Sequence, residues 1–545
     1  MTRLLQEWVT RAALGRPEAT AMVMGGQRHT YEQLEATSNR LAHALRGAGC
    51  GRGDRVALLL PKSPTAVVSL LGTLKADACY VPLDIASPAA RIAKIVASAE
   101  PRVILAGARA AGTLRTLLED PRLMASVRLG WLERDGGAGA PCPPAFTLVD
   151  VDAMPTHPPA YRNSDDDRAH ILYTSGSTGT PKGVMITHAS VMHFVEWARD
   201  YFGLAATDRM SGHSPLHFDL STFDLFGTFA AGAQLHLVPP EVNVVPHQLV
   251  HFIREAGLTQ WFSVPSVLAL MAQLDVVPRD AFPTLKRVLW CGEVFPTRAL
   301  RYWMTRLPHV TFTNLYGPTE STIASSYYTV PRCPASDADP VPIGRPCAGE
   351  QLLVLDTALR PVAPGEIGDL YIRGVGLSPG YWRDPEKTRG AFLPYPADAR
   401  ERIYRTGDLA RLLADGLIYF VGRADSQIKA RGYRIELGEI EAALQSLAEL
   451  QESAVVALPT DGFEGTMICC AYVPRAGAAV TPLSLRTALG RLLPTYMMPT
   501  HWKAYDRLPR NANGKIDRRR IREDWSRDAP PPSTAGRPTP EHREA

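Results

Sequence analysis

The sequence predicts an α/β protein: a large N-terminal core of parallel-sheet subdomains followed by a smaller α+β unit. Length, a recurring strand–helix alternation and a change of pattern after Gly422 predict it. At 545 residues the chain exceeds what one hydrophobic core holds, since single cores stop growing at roughly 250–300 residues. A content of 45% hydrophobic and 21% charged residues is ordinary for a globular chain, so most of it should fold.

In chain order, Asp54-Arg55-Val56-Ala57-Leu58-Leu59-Leu60-Pro61 reads as a buried strand. Ser63-Pro64 follows, a serine N-cap with proline at the first helical position, so a helix opens there. Pairs of this kind imply parallel strands covered by helices. Leu105 to Tyr161 is rich in Ala, Gly and Pro and is expected to be variable surface structure. Beyond Gly422, Leu437, Ile440, Leu444 and Leu447 step by three and four along one helical face. Apolar segments Ala454–Leu458 and Met467–Val473 read as strands. A second helix opens at Thr481-Pro482 and carries Leu485, Leu489, Leu492 and Leu493. The end of the chain, 526–545, is rich in Pro and charge and is expected to be disordered.

The net charge of +4 is small, and both signs are interspersed, which argues against a nucleic-acid footprint. Eight cysteines lie scattered without a CxxC pair, so neither a disulfide framework nor a zinc site is expected. The N-terminal MTRLLQEWVTRAALG lacks the basic-then-apolar design of a signal peptide. No apolar run approaches the ~20 residues of a membrane span. A soluble, cytoplasmic protein is the expectation.

The most informative stretch is His170-Ile171-Leu172-Tyr173-Thr174-Ser175-Gly176-Ser177-Thr178-Gly179-Thr180-Pro181-Lys182-Gly183. A short apolar strand runs into hydroxyls, glycines and one lysine. Glycines let backbone N–H groups turn inward as an anion nest, hydroxyls add donors, and lysine supplies charge. That chemistry suits a nucleotide triphosphate. It is not a Walker A loop, because Pro181 stands where the second glycine of GxxxxGK[ST] belongs. The bland alternative, a flexible Ser/Gly linker, does not ordinarily follow a strand and end in Pro-Lys-Gly.

This stretch resembles the signature of the acyl-adenylate-forming superfamily, which includes acyl-CoA synthetases, luciferases and nonribosomal peptide synthetase adenylation domains. Further stretches match in the same order: Tyr80-Val81-Pro82-Leu83-Asp84, Asn314-Leu315-Tyr316-Gly317-Pro318-Thr319-Glu320, Tyr404-Arg405-Thr406-Gly407-Asp408-Leu409, Gly422-Arg423-Ala424-Asp425-Ser426-Gln427-Ile428-Lys429 and Asn513-Gly514-Lys515-Ile516-Asp517-Arg518. One departure is Lys75-Ala76-Asp77-Ala78-Cys79, where the family usually has a glycine pair. The resemblance implies an adenylate-forming core over 1–424, a mobile C-terminal lid over 425–525 and a hinge at Asp425. It also implies ATP and Mg²⁺ as cofactors.

The same resemblance implies the site roles. Thr174, Ser175, Gly176, Ser177, Thr178 and Lys182 would cradle phosphates. Asn314, Leu315, Tyr316, Gly317 and Pro318 would line the adenine, with Thr319 on the α-phosphate and Glu320 on the metal. Asp408 would hold the ribose, with Phe420 as a second adenine neighbour and Arg423 at the ribose or a phosphate. Lys515 would bridge the carboxylate and the α-phosphate, a task suited to a mobile point charge. Gly432 is similar to a residue on the face used for thioester formation.

Phe218-Asp219-Leu220-Ser221 resembles the segment whose aspartate, here Asp219, pairs with the substrate ammonium in amino-acid-activating members. A buried carboxylate needs such a partner. The implied pocket is Asp219, Leu220, Phe223, Ser263, Leu289, Cys291, Leu315, Ile323, Ala324 and Lys515. Its side-chain region is neutral and fits a small neutral amino acid: alanine first, then serine or glycine, with proline or a β-amino acid behind. Trp290-Cys291-Gly292-Glu293 is also similar to D-alanine–carrier protein ligases. The expected partner is a separate phosphopantetheinyl carrier protein in natural-product biosynthesis. The competing expectations are an acyl-CoA synthetase using free CoA and a non-catalytic nucleotide- or partner-binding homologue.

Overall fold

The computed structural model describes residues 4–124, 126–176, 179–243, 245–460, 466–511 and 516–528. Within them the large unit holds two mainly parallel sheets. One runs Arg345–Pro346, Ser326–Thr329, Thr311–Tyr316, Arg287–Trp290, Gln260–Ser263, Arg209–Gly212, Gln234–Leu237, Thr20–Met24 and Gln27–Thr30. Its middle strands are parallel and its outermost pairs antiparallel. The other runs Phe146–Thr147, Arg128–Trp131, Val103–Ala106, Arg55–Leu59, Cys79–Pro82, Arg168–Thr174 and Lys182–Thr187. Strands buried on both faces carry near-continuous apolar runs, as Val56-Ala57-Leu58-Leu59 does.

One core joins the two sheets. Val56, Leu58 and Tyr80 from one sheet meet Met210, Phe262 and Leu289 from the other, across helices Tyr31–Gly47, Pro64–Lys75, His188–Phe202 and Leu220–Ala231. Ser63 caps the second of these helices as expected, its Oγ accepting from the Ala66 N–H at 3.2 Å. An antiparallel sheet of Glu350–Leu355, Gly368–Gly374, Asp398–Leu412, Phe392–Tyr395 and Ile418–Arg423 completes the large unit.

The smaller unit follows Asp425. It has a two-stranded ribbon, Gln427–Ala430 with Tyr433–Glu436, and a sheet of Leu450–Pro459, Thr466–Pro474 and His501–Ala504. Helix Leu437–Gln445 buries Leu437, Ile440 and Leu444, the face read from the sequence. Thr481 caps helix Pro482–Leu489, which buries Leu485 and Leu489.

Two expectations are corrected. Residues 105–161 are not mere surface structure: they supply strand Arg128–Trp131, paired in parallel with Val103–Ala106, and bury Leu114, Leu117, Leu129 and Trp131. These strands are four residues long, too short to stand out against Ala, Gly and Pro. The expected disorder from 526 does not hold for Ser526 and Arg527, through which helix Arg518–Asp528 runs. Residues 529–545 lie outside the described residues.

The departure at Lys75–Cys79 has a physical explanation. Asp77 takes the left-handed conformation a glycine would supply, at φ 63°. Its carboxylate then accepts from the backbone N–H groups of Arg162 and Asn163 and pairs with Arg46 at 2.8 Å. Lys75, fully buried, donates to Glu35 at 2.6 Å and Asn39 at 2.7 Å. The site thus trades backbone freedom for a satisfied polar network.

Candidate active site

Parallel α/β sheets place ligands at the carboxyl ends of their strands. Here Ser263, Cys291 and Tyr316 lie at or just beyond the ends of three adjacent strands, and Thr174 ends a strand of the second sheet. A cleft between them is walled by Thr174, Ser175, Asp219, Gly317, Thr319 and Asp408 from the large unit. Gln427, Lys429, Gly432, Tyr433, Arg434 and Tyr496 close it from the small unit.

The glycine-rich loop joins the hairpin Arg168–Thr174 and Lys182–Thr187, in which Thr174 is the register partner of Lys182. Gly176 is irreplaceable there, since a Cβ would lie 2.1 Å from the Thr180 carbonyl oxygen. Among the described residues the buried Thr174 hydroxyl has no hydrogen-bond partner. Ser177 and Thr178 lie outside the described residues, as does Lys515.

Glu320 sits on the turn Thr319–Ser321, fully buried. Lys182 Nζ lies 3.1 Å from it, Arg434 donates to both oxygens at 2.9 and 2.7 Å, and Tyr381 donates at 2.8 Å. Burial alone would raise its pKa, but Arg434 and Lys182 overcome this and hold it well below the usual carboxylate range. Burial, with Arg434 alongside, lowers the pKa of Lys182. Among the described residues no three His, Cys, Asp or Glu side chains cluster as metal ligands. An ionised Glu320 still fits Mg²⁺, which commonly takes one or two carboxylates plus substrate phosphates. The hard, ionised carboxylate oxygen is the fitting feature.

Asp408 accepts from the Tyr316 hydroxyl at 2.5 Å and from Arg423 at 2.5 Å. Arg423 also pairs with Asp425 at 2.6 Å. The Tyr316 ring has Lys429 Nζ 5.7 Å from its centroid. Asn314 is otherwise committed: its amide donates to the Pro342 carbonyl at 2.9 Å. Phe420 packs in the cluster of Tyr316, Leu370 and Ile418 and does not wall the cleft.

At the other end, Asp219 begins helix Leu220–Ala231 and accepts from the Thr319 hydroxyl at 2.7 Å. Burial raises its pKa to about 6, against the opposing pull of Thr319 and Lys429. Behind it, Leu220, Phe223, Leu289, Cys291, Leu315, Ile323 and Ala324 all belong to the shared core. Phe223 is fully buried among Phe194, Phe202 and Phe262, with ring centroids 5.5, 6.4 and 5.8 Å away. The Ser263 hydroxyl accepts from the Trp261 indole N–H at 2.9 Å. Of these pocket residues, Asp219, Leu220 and Cys291 reach the cleft, and the others form the packed wall behind it. Thr322 and Ile323 both take positive φ, 58° and 69°, and the Ile323 carbonyl faces the Cys291 thiol at 3.8 Å.

Sequence reasoning missed several residues of the cleft. His217, Lys429, Tyr433, Arg434 and Tyr496 wall it, and burial lowers the His217 pKa. Tyr433 stacks on Tyr496 at 3.6 Å and meets Phe218 edge-on at 4.8 Å. Gly432 docks against the large unit, its N–H donating to Glu293 at 2.7 Å. A Cβ there would lie 2.6 Å from Val264, so only glycine allows this approach. The alternation of Tyr433-Arg434-Ile435 around buried Ile435 was the available signal that Arg434 points away from the small unit's own core.

With this geometry in hand, comparison with known proteins is decisive. Residues 9–382 match the AMP-binding enzyme family, and 439–515 match the AMP-binding enzyme C-terminal domain. The chain is 37% identical over 519 residues to an L-proline--[L-prolyl-carrier protein] ligase of Streptomyces coelicolor, covering 93% of each. It is 33% identical over 521 residues to bacitracin synthase 1 of Bacillus licheniformis, spanning 96% of this chain but 9% of that one. In fold it is similar to the Vibrio cholerae adenylation domain AlmE, solved with glycyl-adenosine-5'-phosphate. The TM-score is 0.82 at 24% identity, over 97% of this chain and 98% of that one. The chain therefore belongs to the AMP-binding enzymes of the acyl-adenylate-forming superfamily and is an ATP-dependent, AMP-forming ligase.

Proposed function

We propose that the protein activates a small neutral amino acid as its aminoacyl-adenylate and transfers it to the phosphopantetheine thiol of a separate carrier protein. The observation that carries this reading is Asp219, a buried carboxylate that lines the cleft beside Leu220 and Cys291, with an apolar core behind them. A substrate ammonium would add a directly paired charge to a carboxylate that otherwise accepts from the Thr319 hydroxyl. Phe223, packed on three aromatic rings, leaves little depth for a side chain, which favours L-alanine, then serine or glycine.

In the first step a carboxylate oxygen attacks the α-phosphorus, the bond to the β-phosphate breaks, and pyrophosphate leaves. Both reactants are anions, so catalysis rests on positioning and cationic screening. Asp219 fixes the ammonium, Thr319 reaches towards the α-phosphate, and Lys182 and the loop N–H groups hold the phosphate chain. Glu320 would hold Mg²⁺, which supplies charge neutralisation on the phosphates. Asp408 and Arg423 form the ribose end. Lys515 completes the set, its role resting on the family resemblance alone. In the second step the thiol sulfur bonds to the acyl carbon, the bond to AMP breaks, and AMP leaves with the electron pair. Rotation of 425–525 about Asp425 would exchange one face for the other, and the docked Gly432 favours assigning the present arrangement to this second step.

The test is amino-acid-dependent ATP–pyrophosphate exchange across glycine, L- and D-alanine, L-serine, L-cysteine, L-proline, β-alanine and two non-amino acids. Exchange with one small amino acid, followed by loading of a holo carrier protein, supports the reading. Exchange only with the non-amino acids overturns it in favour of an acyl-CoA synthetase. L-proline is the second reading, favoured by the 37% identity to a prolyl-carrier protein ligase.

A further inference from the structure

Lys182 and Glu320 belong to different sheets of the large unit, yet they meet at 3.1 Å. The segment 378–382, which follows strand Gly368–Gly374 of the antiparallel sheet, touches both. It lies along the hairpin that carries Lys182, with Tyr381 bridged antiparallel to Val184. The Met185 N–H donates to the Gly380 carbonyl at 3.1 Å, and the Trp382 N–H donates to the Gly183 carbonyl at 2.7 Å. On its other side, the Ser378 N–H donates to the Glu320 carbonyl at 2.9 Å. Between these anchors Tyr381 is buried. Its hydroxyl donates to the Glu320 carboxylate at 2.8 Å and accepts from Lys182 Nζ at 3.4 Å. Its ring centroid lies 4.8 Å from the same ammonium. Neighbours hold the brace still. The Tyr381 N–H donates to the Thr388 hydroxyl at 3.0 Å, and the Trp382 indole N–H donates to the Ser98 carbonyl at 3.0 Å.

On the premise of the adenylation reading above, we propose that Tyr381 is a positioning residue for the triphosphate. It keeps Lys182 and Glu320 side by side while leaving the ammonium able to reach a phosphate. A buried carboxylate whose partner within the large unit was Lys182 alone would hold that ammonium back, since an unpaired buried charge is costly. The phenol shares the carboxylate, so Lys182 can turn away without stranding Glu320. The ring face stabilises the ammonium and uses none of its N–H donors. Backbone pairing on both sides fixes this arrangement before a nucleotide arrives.

The probes are Mg–ATP and AMP on the full chain, read by calorimetry. Tyr381→Phe deletes the hydroxyl and keeps the ring. Mg–ATP should then bind about tenfold more weakly, the scale of one hydrogen bond to a charged group, with AMP within about twofold of wild type. In ATP–pyrophosphate exchange the KM for Mg–ATP should rise by the same factor, and the KM for the amino acid should not move. Tyr381→Leu removes the ring as well and should weaken Mg–ATP at least about threefold further. A merely structural Tyr381 would cost Mg–ATP and AMP equally or cost neither, and either result overturns the proposal. Tyr381→Leu no weaker than Tyr381→Phe overturns the part given to the ring. Wild type that binds neither nucleotide and shows no amino-acid-dependent exchange overturns instead the adenylation reading on which the proposal rests.

Discussion

The two ends of the cleft are built on opposite principles. On the proposed function, the amino-acid end is walled by the large unit, where Leu220, Phe223, Leu289, Cys291, Leu315, Ile323 and Ala324 share one packed core beside the buried Asp219. The end proposed for the phosphates is assembled from both units, with Lys182 and Glu320 from one and Arg434 and Glu439 from the other. The first is rigid and mostly apolar, and its selectivity follows from shape. The second is polar, and the proposed rotation about Asp425 would require its groups to change partners. A close-packed interior cannot serve as a switch without losing its specificity, so the molecule keeps recognition and switching in separate places.

That division can be tested by attacking each end. The largest effect is expected at Asp219. Asp219→Asn should lower kcat/KM for the amino acid by about a thousandfold, as loss of one partner of a buried charge pair costs about 3–5 kcal/mol. The KM for ATP should stay within a few-fold, and comparable losses for both substrates would erase the division. The same variant should melt higher without substrate at pH 8, because the wild-type carboxylate is held ionised there against its burial.

Reshaping the wall should matter less. Phe223→Ala should shift preference from alanine towards a larger apolar amino acid by about 10–100-fold in kcat/KM, since pocket volume discriminates by about 1–3 kcal/mol. Carrier loading per adenylate formed should not change. A shift in that ratio would mean that the pocket communicates with the switching end.

The smallest effect is set by pH. Asp219 must be ionised to pair with an ammonium, and its pKa stands near 6. Activity in kcat/KM should therefore fall about fivefold between pH 6 and pH 5, and Asp219→Asn should flatten that limb. Stability moves the other way. A carboxylate whose pKa is raised by folding binds protons more readily in the native state, so its destabilising effect fades as pH falls through 6 towards 4.

The same division explains what could be read in the sequence. The strands that flank the stretch from Thr174 to Lys182 and the turn carrying Glu320 are local patterns, and the structure has a hairpin and a turn at those places. Phe420 and Asn314 illustrate the limit, since a family position gives no view of which neighbour a side chain has chosen. Arg434 and Glu439 were harder still. Their partners lie 114 and 263 positions away. No periodicity encodes how two separately folded units dock. Short strands such as Arg128–Trp131 escaped because their parallel partners, not their own composition, make them strands.

One small feature bears on how such an enzyme acquires a new substrate. Thr322 and Ile323, both β-branched, are held left-handed at φ 58° and 69°, a conformation costing about 1–3 kcal/mol per residue. Ile323 therefore sits in the packed wall behind the cleft as a compressed spring, its carbonyl facing the Cys291 thiol and the chain pinned two residues on, where the Ser325 N–H donates to the Tyr316 carbonyl at 2.8 Å. A mutation to asparagine or glycine there would relax the spring as well as trim the wall, and the backbone would move. Changes of specificity through this position should come as jumps rather than as graded steps, which makes it a poor site for fine tuning and a productive one for innovation.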